Sequence, residues 1–264
     1  MIGAMRVTAP DGAIAGARWA GTAGPALVFV HGVGSTAAIW DAQLEAFAGT
    51  NRCIAVELRG NGALAPDPKP ALITRAGFAA DVLAVADACE VDRFTLVGCS
   101  LGGVVAFELW KRAPQRFDAM SVVGSFARYP DGRAYANGVE AAVRSAGDMR
   151  TFATQRAAKL GLPPGRLRET IDQMACKSVS SYAAATDATW TGDYLDVLPG
   201  IGVPVQVLCG ERDAIAPPRL SHEIASAIPG ATFAIVEGAG HVANADAPER
   251  FNALLGEFLA GISR

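Results

Sequence analysis

The feature that most limits how this chain can fold is a series of short, mostly apolar runs, at residues 26–30, 53–56, 94–97, 121–123, 205–209 and 232–236. A strand with one wet face alternates apolar and polar residues. A continuous apolar run implies burial on both faces, as in a parallel sheet covered by helices. Helical patterns fall between most of the runs. Trp40, Leu44 and Phe47 sit at i, i+4 and i+7, and Thr74 is placed to cap a helix carrying Phe78, Val82 and Val85. Pro248 opens a helix with Phe251, Leu254, Leu255, Phe258, Leu259 and Ile262 on one face. Strands alternating with helices through right-handed crossovers give a doubly wound, mostly parallel α/β sheet. The opening segment alternates about Asp11-Gly12, which predicts an antiparallel N-terminal hairpin.

One region breaks this rhythm. Residues 126–198 carry no strand pattern and read as several helices broken by Gly147, Gly161 and the Pro163-Pro164 pair. The stretch is too long for a plain connection. The expected division is therefore a core of residues 1–125 and 199–264 with a helical cap at 126–198. A cap so placed covers the strand ends and walls a pocket. Trp190, Tyr182 and Met174 are candidates for that wall or for packing between cap helices. Arg128 and Lys177 are candidates for a substrate carboxylate or, by default, for solvated surface.

The chemistry-bearing residues lie just past predicted strands, the edge at which open α/β sheets bind ligands. Gly98-Cys99-Ser100-Leu101-Gly102 fits G-x-S-x-G between an apolar strand and a helical run, the order that a nucleophile elbow requires. A serine hydroxyl needs a base. Of the three histidines, His241 follows a strand in a glycine-rich loop, His222 sits in a helical pattern, and His31 follows the first core strand, where it supports a loop. A carboxylate must orient the imidazole. Asp213 gives the chain order Ser, Asp, His, with Glu211 and Glu237 as competitors. Oxyanion donors are expected from the amides of Leu101 and Val33, the latter within His31-Gly32-Val33-Gly34. Tentative pocket residues are His31, Gly32, Cys99, Trp190 and Val242. Cys99 precedes the elbow apex, so its thiol points away from the nucleophile position.

Composition narrows the remaining choices. A chain of 264 residues, 51% hydrophobic and 19% charged, carries enough apolar material for one substantial core. A formal net charge of -3 gives no reason to expect nucleic acid or an anionic membrane as partner. The N-terminus lacks a secretory pattern and the apolar runs are too short to span a bilayer. Five cysteines without a CxxC pair suggest neither a disulfide framework nor a zinc site, so a reduced, cytoplasmic protein is expected. The expected partner is a small-molecule substrate, with a homodimer possible.

Taken together, FVHGVGS at 29–35 with Trp40-Asp41, LRGNG at 58–62, VGCSLGG at 97–103, CGERD at 209–213 and GAGHVANADAPERF at 238–251 resemble the α/β-hydrolase superfamily over nearly the whole chain. The layout is similar to 3-oxoadipate enol-lactonases and related carboxylesterases. That resemblance implies attack on an ester or lactone carbonyl, an acyl-enzyme and release by water, with no cofactor and no metal. One loop departs from the pattern. Relatives commonly read D-x-R-G-H-G-x-S, whereas this chain has Glu57 in place of the aspartate and Asn61 in place of the histidine, and lacks the serine. Val242 stands where C–C hydrolases often carry tryptophan, which argues against that branch. Other readings left open are C–C bond hydrolysis of a ring-cleavage diketone, a triad-retaining ligand receptor, and cofactor-free oxygen chemistry.

Overall fold

The computed structural model describes residues 1–158, 162 and 164–262. The predicted breaks at Gly161 and Pro163 lie outside the described residues. Strands β1 (Gly3–Thr8) and β2 (Ile14–Ala20) form the antiparallel hairpin about Asp11-Gly12. They continue into β3 (Ala26–Val30), β4 (Arg52–Glu57), β5 (Phe94–Cys99), β6 (Phe117–Val123), β7 (Val205–Gly210) and β8 (Thr232–Val236). The sheet has eight strands in the order β1-β2-β4-β3-β5-β6-β7-β8, and every pairing from β4 to β8 is parallel. This is the α/β-hydrolase fold.

Helices α1 (Asp41–Phe47), α2 (Arg75–Ala88), α3 (Leu101–Arg112), α4 (Gly132–Ala146), α5 (Met149–Ala157), α6 (Pro164–Ala175), α7 (Val179–Trp190), α8 (Pro218–Ala227), α9 (Ala243–Asp246) and α10 (Pro248–Gly261) complete the chain. Thr74 caps α2 as expected, its hydroxyl accepting from the Gly77 amide. Ile262 is a departure: it falls just past α10, outside the helix whose apolar face it was expected to share.

Alternation along the central strands explains why both faces must be covered. Val28 and Val30 point into a core shared with α2, α3 and α8, while Leu27 and Phe29 point into a second core with α1 and α10. Trp40, at the start of α1, lies between Phe29 and Phe251 at ring distances of 5.1 and 6.0 Å. Its neighbour Asp41 pairs with Arg18. The Trp-Asp pair therefore fastens a helix to the sheet and stays out of the chemistry.

Between β6 and β7 the chain forms α4 to α7. Part of this insertion has a core of its own, built from Val139, Val143, Met149, Phe152, Ala153, Met174 and Tyr182. Gly147 ends α4 at φ +81, as its predicted role as a breaker requires.

Candidate active site

Ser100 sits between β5 and α3 at φ 54, ψ -113, a positive-φ conformation that an L-residue adopts at a cost of about 1–3 kcal/mol. The surrounding sequence supports this strain. A Cβ on Gly98 would run into the carbonyl of Gly102, and one on Gly102 into the carbonyl of Val30. Only glycine permits this approach of helix to strand. The Ser100 amide donates to Val123 at 2.9 Å, and the Ser125 hydroxyl donates to the Ser100 carbonyl at 2.9 Å. The elbow is thus held from β6 as well as from its own strand.

The three chemistry-bearing side chains meet in series. His241 Nε2 lies 3.0 Å from Ser100 Oγ, and His241 Nδ1 lies 3.0 and 2.9 Å from the two Asp213 oxygens. Asp213 Oδ1 also accepts from the amides of Ile215 and Ala216 at 2.8 and 2.9 Å, which fixes the carboxylate. A carboxylate facing Nδ1 requires the tautomer with hydrogen on that nitrogen. Nε2 is then free to accept the serine proton. The competing acids stand elsewhere. Glu211 accepts from the Gly238 amide and braces the histidine loop, and Glu237 is exposed.

The loop after β3 closes the other side. A Cβ on Gly32 would lie 3.2 Å from Ser100 Cβ, so the backbone running from Gly32 into Val33 abuts the nucleophile position. Leu101 is the first residue of α3, and its amide points from the helix N-terminus. Such a site can activate a hydroxyl.

The tentative pocket residues divide. Gly32 and half-buried Val242 border the serine and histidine loops. His31 is fully buried; its Nδ1 faces the Gly32 carbonyl and its Nε2 accepts from Leu58. Burial pushes its pKa down to about 3, so it is a neutral strut for two loops and no pocket wall. Cys99 is also buried in the α1–α10 core, where burial pushes its thiol up. Trp190 is 2% exposed, stacked on Phe126 at 5.0 Å and tilted on Tyr135 at 4.4 Å. Aromatic packing consumes its surface, so it too belongs to the core. Met174 and Tyr182 approach Gly34, at 3.1 and 3.4 Å from where its Cβ would stand.

Lys177 corrects a default expectation. It is 5% exposed and donates to the carbonyls of Ser35, Asn61 and Gln173 at 3.0, 2.8 and 3.1 Å. Burial pushes its pKa down to about 8. It ties the β3 loop, the variant loop after β4 and the end of α6 together. Within the variant loop, Glu57 accepts from Leu64 at 2.8 Å and Asn61 donates to the Arg59 carbonyl, so both substitutions serve the loop's own structure. Arg128 is exposed and faces Asp193.

Sequence reasoning missed Arg59, buried against Asp81, and Asp246, whose carboxylate accepts from Gly240 beside the histidine. It also missed Ser125, whose hydroxyl holds the elbow. Of these only Arg59 leaves a sequence signal, its place in the LRGNG motif.

Comparison with known proteins fits this geometry. Residues 27–254 match the family described as "Alpha/beta hydrolase family". The chain belongs to the alpha/beta hydrolase family. Among curated relatives of this hydrolase, 3-oxoadipate enol-lactonase 2 of Acinetobacter baylyi is 27% identical over 253 residues, covering 93% of this chain and 92% of the relative. A pimeloyl-[acyl-carrier protein] methyl ester esterase of Neisseria meningitidis serogroup C is 29% identical over 245 residues, 88% of this chain and 93% of the relative. The solved structure of a hydrolase from Pseudomonas aeruginosa superposes with a TM-score of 0.89 at 28% identity, covering 98% of each chain. No helix among the described residues is long and apolar enough to cross a membrane.

Proposed function

We propose that this alpha/beta hydrolase cleaves small carboxylic esters or lactones through an acyl-enzyme on Ser100. The observation that carries the reading is the unbroken series from Ser100 Oγ through His241 to Asp213, with contacts of 2.9 to 3.0 Å. The hydroxyl attacks the carbonyl carbon as Nε2 takes its proton, and Asp213 stabilises the imidazolium. The negative charge moves to the carbonyl oxygen, where the Val33 and Leu101 amides receive it. Collapse breaks the C–O bond, and the imidazolium protonates the departing alkoxide. Water then repeats the sequence, releasing the acid and restoring the serine.

In this reading residues 126–198 act as a cap that sets substrate size and limits water. The names of the relatives, a lactonase and a methyl ester esterase, support carboxylic ester chemistry. Five unpaired thiols fit a reducing, cytoplasmic setting. The test is a panel of short-chain esters, small lactones and a ring-cleavage diketone. Esters or lactones should turn over, and Ser100→Ala should reduce kcat by about ten-thousand-fold or more without loss of fold. Turnover of the diketone alone, or undiminished ester turnover by Ser100→Ala, overturns the proposal.

A further inference from the structure

The base sits on a glycine-rich loop. Gly238 and Gly240 precede His241, and glycine loses more backbone freedom on ordering than any other residue. Carboxylates from two directions take up the amides of this loop. Glu211 accepts from Gly238 at 2.9 Å, and Asp246 Oδ2 accepts from Gly240, the residue next to the base, at 3.1 Å. A Cβ on Gly240 would stand 3.1 Å from the same oxygen, so the Asp246 carboxylate lies against the backbone that carries the imidazole. A single turn brings it there, since the Asp246 amide donates to the Val242 carbonyl at 2.9 Å.

Bracing accounts for only half of this side chain. The second oxygen, Asp246 Oδ1, is buried without a hydrogen-bond partner. A neutral amide would accept from Gly240 equally well and leave no charge to desolvate, so an aspartate here is costly unless a positive charge answers it. The charged and titratable groups that face it come from four elements. Arg166 on α6 is already paired with Glu169. Asp213, from the loop after β7, is itself an acid, and the thiol of Cys99 on β5 is kept neutral by burial. The fourth is His241. Its imidazolium forms when Ser100 gives up a proton. A charge that answers that state favours the transition state over the resting enzyme.

We propose that Asp246 is a positioning residue for His241, a second carboxylate that holds the loop of the base and, together with Asp213, stabilises the imidazolium. It acts through the histidine and not on the substrate. The consequence for rate rests on the ester or lactone hydrolysis proposed above, whereas the effect on the imidazole needs no turnover.

The test follows the His241 ring by NMR titration of protein labelled with 13C at histidine. The chain has three histidines. His31, with its pKa pushed down to about 3, stays neutral through the range, and exposed His222 on α8 serves as the control. Asp246→Asn and Asp246→Ser both keep an oxygen for the Gly240 amide and remove the charge; variants with wild-type circular dichroism are compared. Each should lower the His241 midpoint by at least about half a pH unit, about a threefold loss in proton affinity, and leave that of His222 in place. On the ester or lactone that the wild type hydrolyses best, the acid limb of kcat/KM should move to lower pH by the same amount. On the plateau, kcat should fall about three- to tenfold with KM little changed. An unmoved His241 midpoint in a folded variant overturns the assignment even if kcat falls, because a loosened loop alone leaves the proton affinity of the base in place. If no ester or lactone turns over, the hydrolase reading fails by itself. The NMR midpoint then still decides, a lowered one supporting the role of Asp246 and an unmoved one overturning it.

Discussion

Mild acid should weaken this protein through His31. Its Nδ1 lies 2.8 Å from the Gly32 carbonyl and its Nε2 accepts from the Leu58 amide at 3.2 Å. The ring must be neutral to do both, because an imidazolium has no lone pair to offer. Burial holds its pKa near 3, against an ordinary value of 6.5, and the Gly32 carbonyl opposes that shift only in part. Between those values the unfolded chain binds a proton that the native ring does not, so stability falls as pH falls from 6.5 toward 3. At 1.36 kcal/mol per pH unit, lowering the pH from about 6.5 to about 4.5 removes about 2 kcal/mol through this residue alone. Urea unfolding of the wild type and His31→Gln at the two pH values measures it, since glutamine keeps a donor and an acceptor but does not titrate. The wild type should lose about 2 kcal/mol more than the variant over that interval. Equal losses would refute the claim that a buried neutral imidazole joins the two loops.

Gly124 sits at φ +56, and a Cβ there would stand 2.8 Å from the His241 carbonyl and 3.1 Å from Asp213 Oδ2. Gly124→Ala should cut kcat by about ten- to a hundred-fold through displacement of the His–Asp pair, with a smaller effect on KM; steady-state kinetics decide. Lys177 predicts a pH trend at the alkaline end. Its folded pKa of about 8 lies below its ordinary 10.5, so the unfolded chain binds more protons between them and stability rises with pH through that window. From about pH 8 to about pH 10 the wild type should gain about 2 kcal/mol relative to Lys177→Met in denaturant titrations. No relative gain would place the ammonium in contact with solvent.

Much of this architecture is legible in local sequence. Burial on both faces of β3 to β7 shows as short, mostly apolar runs, whereas the run at β8 sits at the sheet edge and is only partly covered, and the antiparallel start shows as alternation about Asp11-Gly12. Ser100, Asp213 and His241 can be nominated because each lies on a loop just past a strand, where chain order and the sheet edge supply the missing third dimension. Lys177 could not be read in this way. Its partners are carbonyls of Ser35, Asn61 and Gln173, up to 142 residues distant, and a carbonyl leaves no mark in sequence. Trp190 stays ambiguous for a related reason: a tryptophan in an insertion fits a pocket wall or a core equally, and only the placement of Phe126, Tyr129 and Tyr135 around it decides. Arg59 reads as part of a loop motif, yet its anchor Asp81 lies on the buried face of α2. Long-range polar pairs of this kind have no periodicity to betray them.

The central claim is that His241 activates the Ser100 hydroxyl. Peptide-mapping mass spectrometry after timed exposure to a fluorophosphonate tests it most directly. The account predicts a single phosphonylated residue, Ser100, no adduct in Ser100→Ala, and labelling slowed by at least about a hundred-fold in His241→Ala. An adduct on another residue, or labelling of His241→Ala at the wild-type rate, would contradict it.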